Sequence, residues 1–148
     1  MKQLILALLL FCWANCMFAQ NTNTFNCITY GSYSLNSHQI DGGGVALAYT
    51  VSKNVVTGLR LQYFDHQLAI PQLSVQLQLP YTLANHNITP FVVTAAATPL
   101  GSKSGVIGIT GLGLNLQLYK QLSLICDYEI WSGAVNDKLI NTGLNWSF

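Results

Sequence analysis

Apolar and polar residues alternate through most of this sequence, and no other feature restricts the possible fold as much. In residues 73–79 and 112–118, every second residue is leucine or valine, and polar or glycine residues fill the positions between. The same period of two continues in residues 45–51, 55–63, 122–130 and 140–148. Alternation of this kind puts apolar side chains on one face of a β-strand and polar side chains on the other. No segment beyond the first 20 residues has a convincing helical period, so the sequence predicts an all-β domain.

Eight strands are predicted, and the connections between them alternate in length. The strands are predicted at residues 25–34, 44–52, 55–64, 72–80, 89–98, 105–118, 122–131 and 138–148. Short connections are expected at 52–54, 84–87 and 119–121, and longer ones at 36–43, 65–71, 99–104 and 132–137. All four prolines are expected at strand ends, where a missing backbone N–H does least harm. Strands of about 9–11 residues with short turns at one end and longer loops at the other are typical of outer-membrane barrels.

The composition of the polar face distinguishes a membrane barrel from a soluble one. Charged residues make up 7% of the sequence and hydrophobic residues 51%, whereas a soluble surface carries about 25–35% charged residues. Small residues and amides dominate the polar face, among them Ala46, Ala48, Thr50, Gln62, Gln76, Asn115, Asn141 and Asn145. Such residues suit a narrow interior, and the leucines and valines opposite suit lipid. We therefore predict an eight-stranded antiparallel up-and-down transmembrane β-barrel.

Aromatic residues near the strand ends predict two girdles on the lipid-facing surface. At the periplasmic rim we expect Tyr49, Tyr81, Phe91, Tyr119 and Trp146. At the outer rim we expect Tyr63, Tyr128 and Trp131.

The N-terminus has the pattern of a secretory signal peptide. A basic opening with Lys2 is followed by an apolar stretch, residues 4–14, which is shorter than the about 20 residues of a membrane-spanning helix. Cleavage is expected after Ala19, with Ala14 as the alternative, and a lipoprotein signal ending before Cys16 is less favoured. The predicted organisation is a signal peptide at 1–19 and a barrel at 20–148. The mature chain then has a formal net charge of zero, which gives no attraction for nucleic acid.

The C-terminus carries the most specific motif. Leu144-Asn145-Trp146-Ser147-Phe148 ends on phenylalanine, with apolar residues at alternate positions before it. It resembles the terminal signal that the barrel-assembly machinery recognises in bacterial outer-membrane barrels, which implies an assembly role for Leu144, Trp146 and Phe148. As a whole, residues 25–148 resemble the small eight-stranded outer-membrane barrels of the OmpX-like and OmpA-like class. This resemblance concerns the architecture and implies no particular activity.

Three charged residues of the polar face form the main candidate site. Arg60 lies six residues after Asn54, and Asp127 lies six residues after Gln121, so both are expected at similar heights inside the barrel, with Glu129 one layer above. An arginine with two carboxylates in a narrow interior would form a charge-assisted network, because an unpaired buried charge is costly. A structural network that closes the barrel is favoured, since side chains just fill an eight-stranded interior. A gate or a polar ligand site is the alternative.

Neither a metal site nor a disulfide is expected. His38, His66 and His86 fall in three different connections, and His86 lies at the opposite end from the other two. Cys27 and Cys126 are predicted on the first and seventh strands with the eighth between them. Two strand spacings of about 4.8 Å exceed the Cα separation of about 7 Å that a disulfide allows, so both should be free thiols.

These features favour a non-enzymatic integral protein of the bacterial outer membrane, serving as a structural or accessory subunit of an outer-membrane assembly. Expected partners are outer-membrane lipid, the barrel-assembly machinery during insertion and a larger outer-membrane protein complex; no cofactor is expected. Alternatives are binding or transport of a small hydrophobic ligand, and adhesion. A lipid A-modifying enzyme is less favoured, because its nearest catalytic set, Asp65, His66 and Ser132, is divided between strands that are not neighbours.

Overall fold

The computed structural model describes residues 24–64, 68–79, 81–83, 86–100 and 105–148, and nearly all of them lie in β-strands. The nine strands are β1 (Phe25–Ser34), β2 (Gln39–Ser52), β3 (Val55–Phe64), β4 (Leu68–Gln78), β5 (Tyr81–Leu83), β6 (His86–Ala97), β7 (Ile107–Tyr119), β8 (Leu122–Gly133) and β9 (Asp137–Ser147). The predicted signal peptide, residues 1–19, lies outside these ranges. Within them, no helix has the length and apolarity needed to cross a bilayer.

The strands close into a barrel in which every pairing is antiparallel. Consecutive strands pair along the chain except β4 and β5, β1 pairs with β9, and β4 pairs with β6 to complete the ring. The three-residue strand β5 was not predicted. It continues along β6 where β4 ends, and the sequence has a proline, which lacks a backbone N–H, between the two. Because β4 and β5 share one position in the ring, the predicted eight-stranded barrel is confirmed.

Strands β2 and β4 begin well before their predicted first residues, toward the loop end of the barrel. β2 begins at Gln39 instead of residue 44, and β4 begins at Leu68 instead of residue 72. Pro90 lies inside β6, and Pro71 likewise lies inside β4 and not at its end. The Pro71 carbonyl accepts a hydrogen bond from the Thr98 N–H at 3.3 Å, but the Pro71 nitrogen has no hydrogen to donate in return.

Side chains alternate between the lipid-facing wall and the interior as predicted. Leu59 is 66% exposed on the wall, whereas its neighbour Arg60 is 6% exposed inside. The described charged side chains lie either in the interior or at the two ends of the strands: Arg60, Asp127 and Glu129 inside, Lys53 and Lys120 in short turns, and Asp137 and Lys138 at the start of β9. A wall of this kind matches the apolar band of a transmembrane barrel.

Two aromatic residues predicted for the girdles lie inside the barrel instead. Phe91 is 3% exposed and Trp131 is 2% exposed. Both occupy inward positions in the alternation of their strands, and this period decides their direction despite their apolar character. A Cβ atom on Gly113 would collide with the ring of Phe91, so the glycine provides the space for that ring. The side chain of Tyr81 lies outside the described part of the structure, whereas Tyr63, Tyr119 and Trp146 are exposed as predicted.

The interior contains two apolar clusters. The turn-side cluster is Ile28, Tyr30, Ala46, Ala48, Val56, Phe91, Val93 and Ile125. The loop-side cluster is Ile70, Ala97, Ile107, Ile109, Trp131 and Leu139, with Phe64 packed against it. The rings of Phe64 and Trp131 meet edge to face with their centroids 5.6 Å apart, a favourable arrangement for aromatic pairs. The inner face is therefore less polar than the sequence pattern indicated.

Candidate functional site

A polar belt crosses the barrel interior and contains the three predicted charged residues. We define it as Ser32, Arg60, Gln62, Gln72, Asp127, Glu129, Trp131 and Asn141. The alternation of β8 turns Asp127, Glu129 and Trp131 to the same side, since they are two residues apart. Arg60 and Gln62 point inward from β3 for the same reason. Because β3 and β8 are not neighbours in the ring, any contact between them spans the lumen.

Arg60 makes that contact with both carboxylates. Its Nη2 atom lies 3.5 Å from Oδ2 of Asp127, and its Nη1 atom donates to Oε1 of Glu129. All three side chains are almost completely buried. The structure thus brings the predicted residues together as a buried ion-paired triad, in a setting where each charge requires a partner.

Each of the four carboxylate oxygens in the belt accepts one hydrogen bond. Asn141 Nδ2 donates to Oδ1 of Asp127 at 2.6 Å, and Trp131 Nε1 donates to Oε2 of Glu129 at 3.0 Å. Arg60 donates a hydrogen bond to the remaining oxygen of each carboxylate. This arrangement suits two ionised carboxylates, since ionised groups accept without donating. With one arginine against two carboxylates, the formal charge of the belt is −1.

A chain of amides and one hydroxyl leads to Asp127 from the far side of the barrel. Gln72 Nε2 donates to Gln62 Oε1 at 2.8 Å, and Gln62 Nε2 donates to Ser32 Oγ at 2.8 Å. Ser32 Oγ donates to Asn141 Oδ1 at 2.7 Å, and Asn141 then donates to Asp127. Every bond in this chain points its hydrogen toward the carboxylate. Aligned hydrogen bonds polarise one another, so the chain helps to stabilise the negative charge that Arg60 does not balance.

Tyr30 completes the surroundings of Arg60. The guanidinium carbon of Arg60 lies 4.7 Å from the centroid of the Tyr30 ring, within the distance of a cation–π interaction. A Cβ atom on Gly143 would lie 2.7 Å from the Cβ of Tyr30, so a glycine on β9 allows the tyrosine to occupy this place. The arginine is therefore held by two carboxylates and one aromatic face.

The sequence did not identify Ser32, Gln72 or Trp131 as belt residues, nor Tyr30 as the aromatic neighbour of Arg60. β1, which carries Ser32 and Tyr30, lacks a continuous apolar face, so alternation gave little signal there. Gln72 lies on the inward side of β4, and extending the alternation of residues 73–79 by one position would have found it. The partner of each side chain across the lumen depends on the stagger of the strands around the ring, which periodicity does not contain.

Comparisons with known structures agree with this geometry. A de novo designed transmembrane β-barrel superposes with a TM-score of 0.70 at 13% identity, covering 87% of this chain and 98% of that chain. The N-terminal β-barrel domain of Pseudomonas aeruginosa OprF gives a TM-score of 0.64 at 14% identity, covering 87% and 100%. The Yersinia pestis outer membrane protein Ail in a phospholipid nanodisc gives 0.55 at 13% identity, covering 86% and 100%.

The fold is that of a small outer-membrane-type β-barrel. The predicted resemblance to the small eight-stranded class is therefore confirmed at the level of architecture. No family model matches the sequence, and no curated protein shows a significant match.

The histidines and cysteines of this barrel do not come together in the described residues. His38, in the connection between β1 and β2, is exposed with a φ of 57°, whereas His86 begins β6 at the opposite end; His66 lies outside the described residues. Cys27 and Cys126 are free thiols on the wall, as predicted. In the described residues, no three His, Cys, Asp or Glu side chains are grouped as metal ligands.

The remaining predicted residues lie apart from the belt. Ser132 is exposed near the loop end, and its hydroxyl donates to the Gly108 carbonyl at 3.3 Å; Asp65 and His66 lie outside the described residues. Leu144, Trp146 and Phe148 are all exposed on the wall at the end of the chain. Their role in assembly stays a prediction.

Proposed function

We propose that this protein is an integral, non-conducting, non-enzymatic barrel of the bacterial outer membrane, serving as a structural or accessory subunit of an outer-membrane assembly. The observation that carries the proposal is the filled interior. The loop-side cluster, the polar belt and the turn-side cluster follow one another along the barrel axis. With the passage filled in this way, the wall and the rims are the surfaces left for contact with other molecules.

The wall supports placement in a membrane. Its large side chains are leucine, valine, isoleucine and aromatic residues, many of them more than half exposed, while the buried charges face one another across the lumen. Bacterial outer-membrane barrels have the same division between a lipid-facing apolar band and a polar interior. An exported protein with this surface would insert in the outer membrane.

Two experiments test this proposal. In planar bilayers, the purified barrel should give no stable conductance above the bare bilayer, and steady open channels would contradict a filled interior. After extraction of outer membranes in a mild detergent, the tagged barrel should elute together with one or more outer-membrane proteins in reproducible proportion. Elution as a monomer from cells that express it at its natural level would exclude the accessory-subunit role.

A hollow in the wall favours a second candidate function, binding of a small apolar molecule. It measures about 630 Å³, within the usual range of small-molecule sites. Leucines 47, 59, 61 and 73 line it together with Pro71 and Ala96. A photoreactive adamantane should label this hollow saturably, in competition with unlabelled adamantane, and Ala96→Trp should abolish the competition. Thr142→Trp, also on the wall but outside the hollow, is the control; labelling that never saturates would exclude the site.

A further inference from the structure

A small polar cavity of about 90 Å³ lies inside the barrel near the turn end. Its polar lining consists of Asn26, Thr50, Gln76, Gln78, Asn115 and Asn145, and the rest of its lining is aliphatic. Among the described residues, no charged side chain lines it. The cavity is separate from the belt, and neither the predicted site nor the proposed function uses it.

Two of the asparagines that line this cavity have a side-chain oxygen that accepts no hydrogen bond from the protein. These oxygens are Oδ1 of Asn115 and Oδ1 of Asn145, and both atoms are buried. Asn145 is 7% exposed, and its Nδ2 atom is already used in a bond of 3.1 Å to Ser123 Oγ. A buried acceptor without a donor costs free energy. Both oxygens would therefore be stabilised by an occupant that donates hydrogen bonds or carries a positive charge.

Asn26, in the same cavity, provides an internal comparison. Its Nδ2 atom donates to Thr50 Oγ1 at 3.3 Å, and its Oδ1 atom accepts from Ser147 Oγ at 2.6 Å. Both ends of that amide are therefore satisfied within the protein. Among the described lining residues, the buried oxygens without a hydrogen-bond donor belong to the other two asparagines.

The electrostatic surroundings favour a positive occupant. A narrow cavity of about 10 Å³ lies between this region and the belt: it shares Ile28, Ala48, Val56 and Gln76 with the polar cavity, and Arg60 is among its lining residues. The charge of Arg60 is already paired with Glu129 and Asp127, which leaves the belt with a formal charge of −1. In an interior of low dielectric, this net charge attracts a cation more strongly than it would in water.

We propose that the polar cavity binds a small monovalent cation of the size of ammonium or K⁺, through the amide oxygens of Asn115 and Asn145. Neutral carbonyl oxygens coordinate K⁺ in selectivity filters, whereas Ca²⁺ sites generally include carboxylates, which this lining lacks. The volume excludes bulky organic cations. Because side chains fill the barrel between this cavity and the loop end, a cation bound here could not pass through the barrel.

Side-chain NMR of the refolded barrel in nanodiscs tests the proposal. The protein is kept in choline chloride, which is then replaced by ammonium chloride or potassium chloride at constant ionic strength. The side-chain amide signals of Asn115 and Asn145 should shift and saturate with ammonium and with K⁺, and choline alone should leave them unchanged. Asn145→Leu should weaken the apparent affinity by about tenfold or more, a loss on the scale seen when support for a bound ion is removed.

Asn54→Ala is the matched control, because Asn54 is an exposed amide at the same end of the barrel, outside the cavity. It should bind the cations as the native barrel does. Equal shifts when choline chloride alone is raised from low salt would reduce the effect to ionic strength, and unchanged signals in all three salts would mean that water alone occupies the cavity; either result overturns the proposal. If Asn145→Leu does not fold, Asn115→Leu and the comparison of salts on the native barrel still decide the question.

Discussion

Removing the cation of the belt should destabilise the barrel more than any exposed charge substitution. In Arg60→Met, Oδ2 of Asp127 and Oε1 of Glu129 lose their donors while both carboxylates stay buried. Breaking a buried ion pair by removing one partner costs about 3–5 kcal/mol. The free-energy cost of removing Arg60 should lie in the upper part of this range, because two carboxylates depend on this one arginine. We therefore expect the free energy of unfolding to fall by about 4–5 kcal/mol.

The measurement is equilibrium unfolding in urea with the barrel in lipid vesicles, followed by tryptophan fluorescence and by the mobility of unheated samples on a detergent gel. Lys53→Met, in an exposed turn, is the control and should change the stability by no more than about 0.5 kcal/mol. Adding Asp127→Asn and Glu129→Gln to Arg60→Met removes the unbalanced charges and should restore at least half of the loss. Equal stability of Arg60→Met and Lys53→Met would contradict this prediction, and so would a triple variant no more stable than Arg60→Met alone.

Three further predictions concern the packing, the wall and the terminus. Gly113→Val places a side chain against the ring of Phe91 and should lower the free energy of unfolding by about 1–3 kcal/mol through overpacking. In the same urea experiment, adding Phe91→Leu should recover part of this loss. Additive effects of the two substitutions would show that residues 113 and 91 do not touch. Leu59→Arg, on the exposed wall, should cost about 2–4 kcal/mol near the membrane midplane, and an unchanged midpoint would mean that this wall does not face lipid. Deleting Phe148 should lower the fraction of barrel inserted in isolated outer membranes relative to the native chain, while refolding in detergent stays unchanged; equal insertion would exclude its role in assembly.

Periodicity was sufficient to predict the wall and the direction of the charged residues. Asp127 and Glu129 are two residues apart, so any strand that turns one inward also turns the other inward. Counting residues from the two short turns placed Arg60 at a similar height, and the structure has it in contact with both. These relationships depend only on the local geometry of a strand and on the length of its turn.

The first strand exceeded what periodicity could predict, and the girdle pattern misplaced two aromatic residues. Trp131 was assigned to the outer rim as an aromatic residue near a strand end, although the alternation that turns Asp127 and Glu129 inward includes it. Its indole N–H donates to Glu129 inside the barrel. Ser32 lies on a strand with small and polar residues on both faces, so its direction had to come from the pairing with β2 and β9. Contacts across the lumen also depend on how far each strand is staggered relative to the next, which is a property of the closed ring.

The polar belt explains why this chain has one preferred face toward the interior. A soluble barrel gains free energy when apolar side chains leave water, but in a bilayer the lipid around the wall is as apolar as the interior clusters. The hydrophobic effect therefore discriminates weakly between the native register and one shifted by a residue, which would reverse every side chain. Arg60, Asp127 and Glu129 discriminate strongly, because a charged side chain facing lipid costs several kcal/mol. Their mutual contacts in the lumen thus stabilise the one closure of the barrel in which the leucines face the membrane.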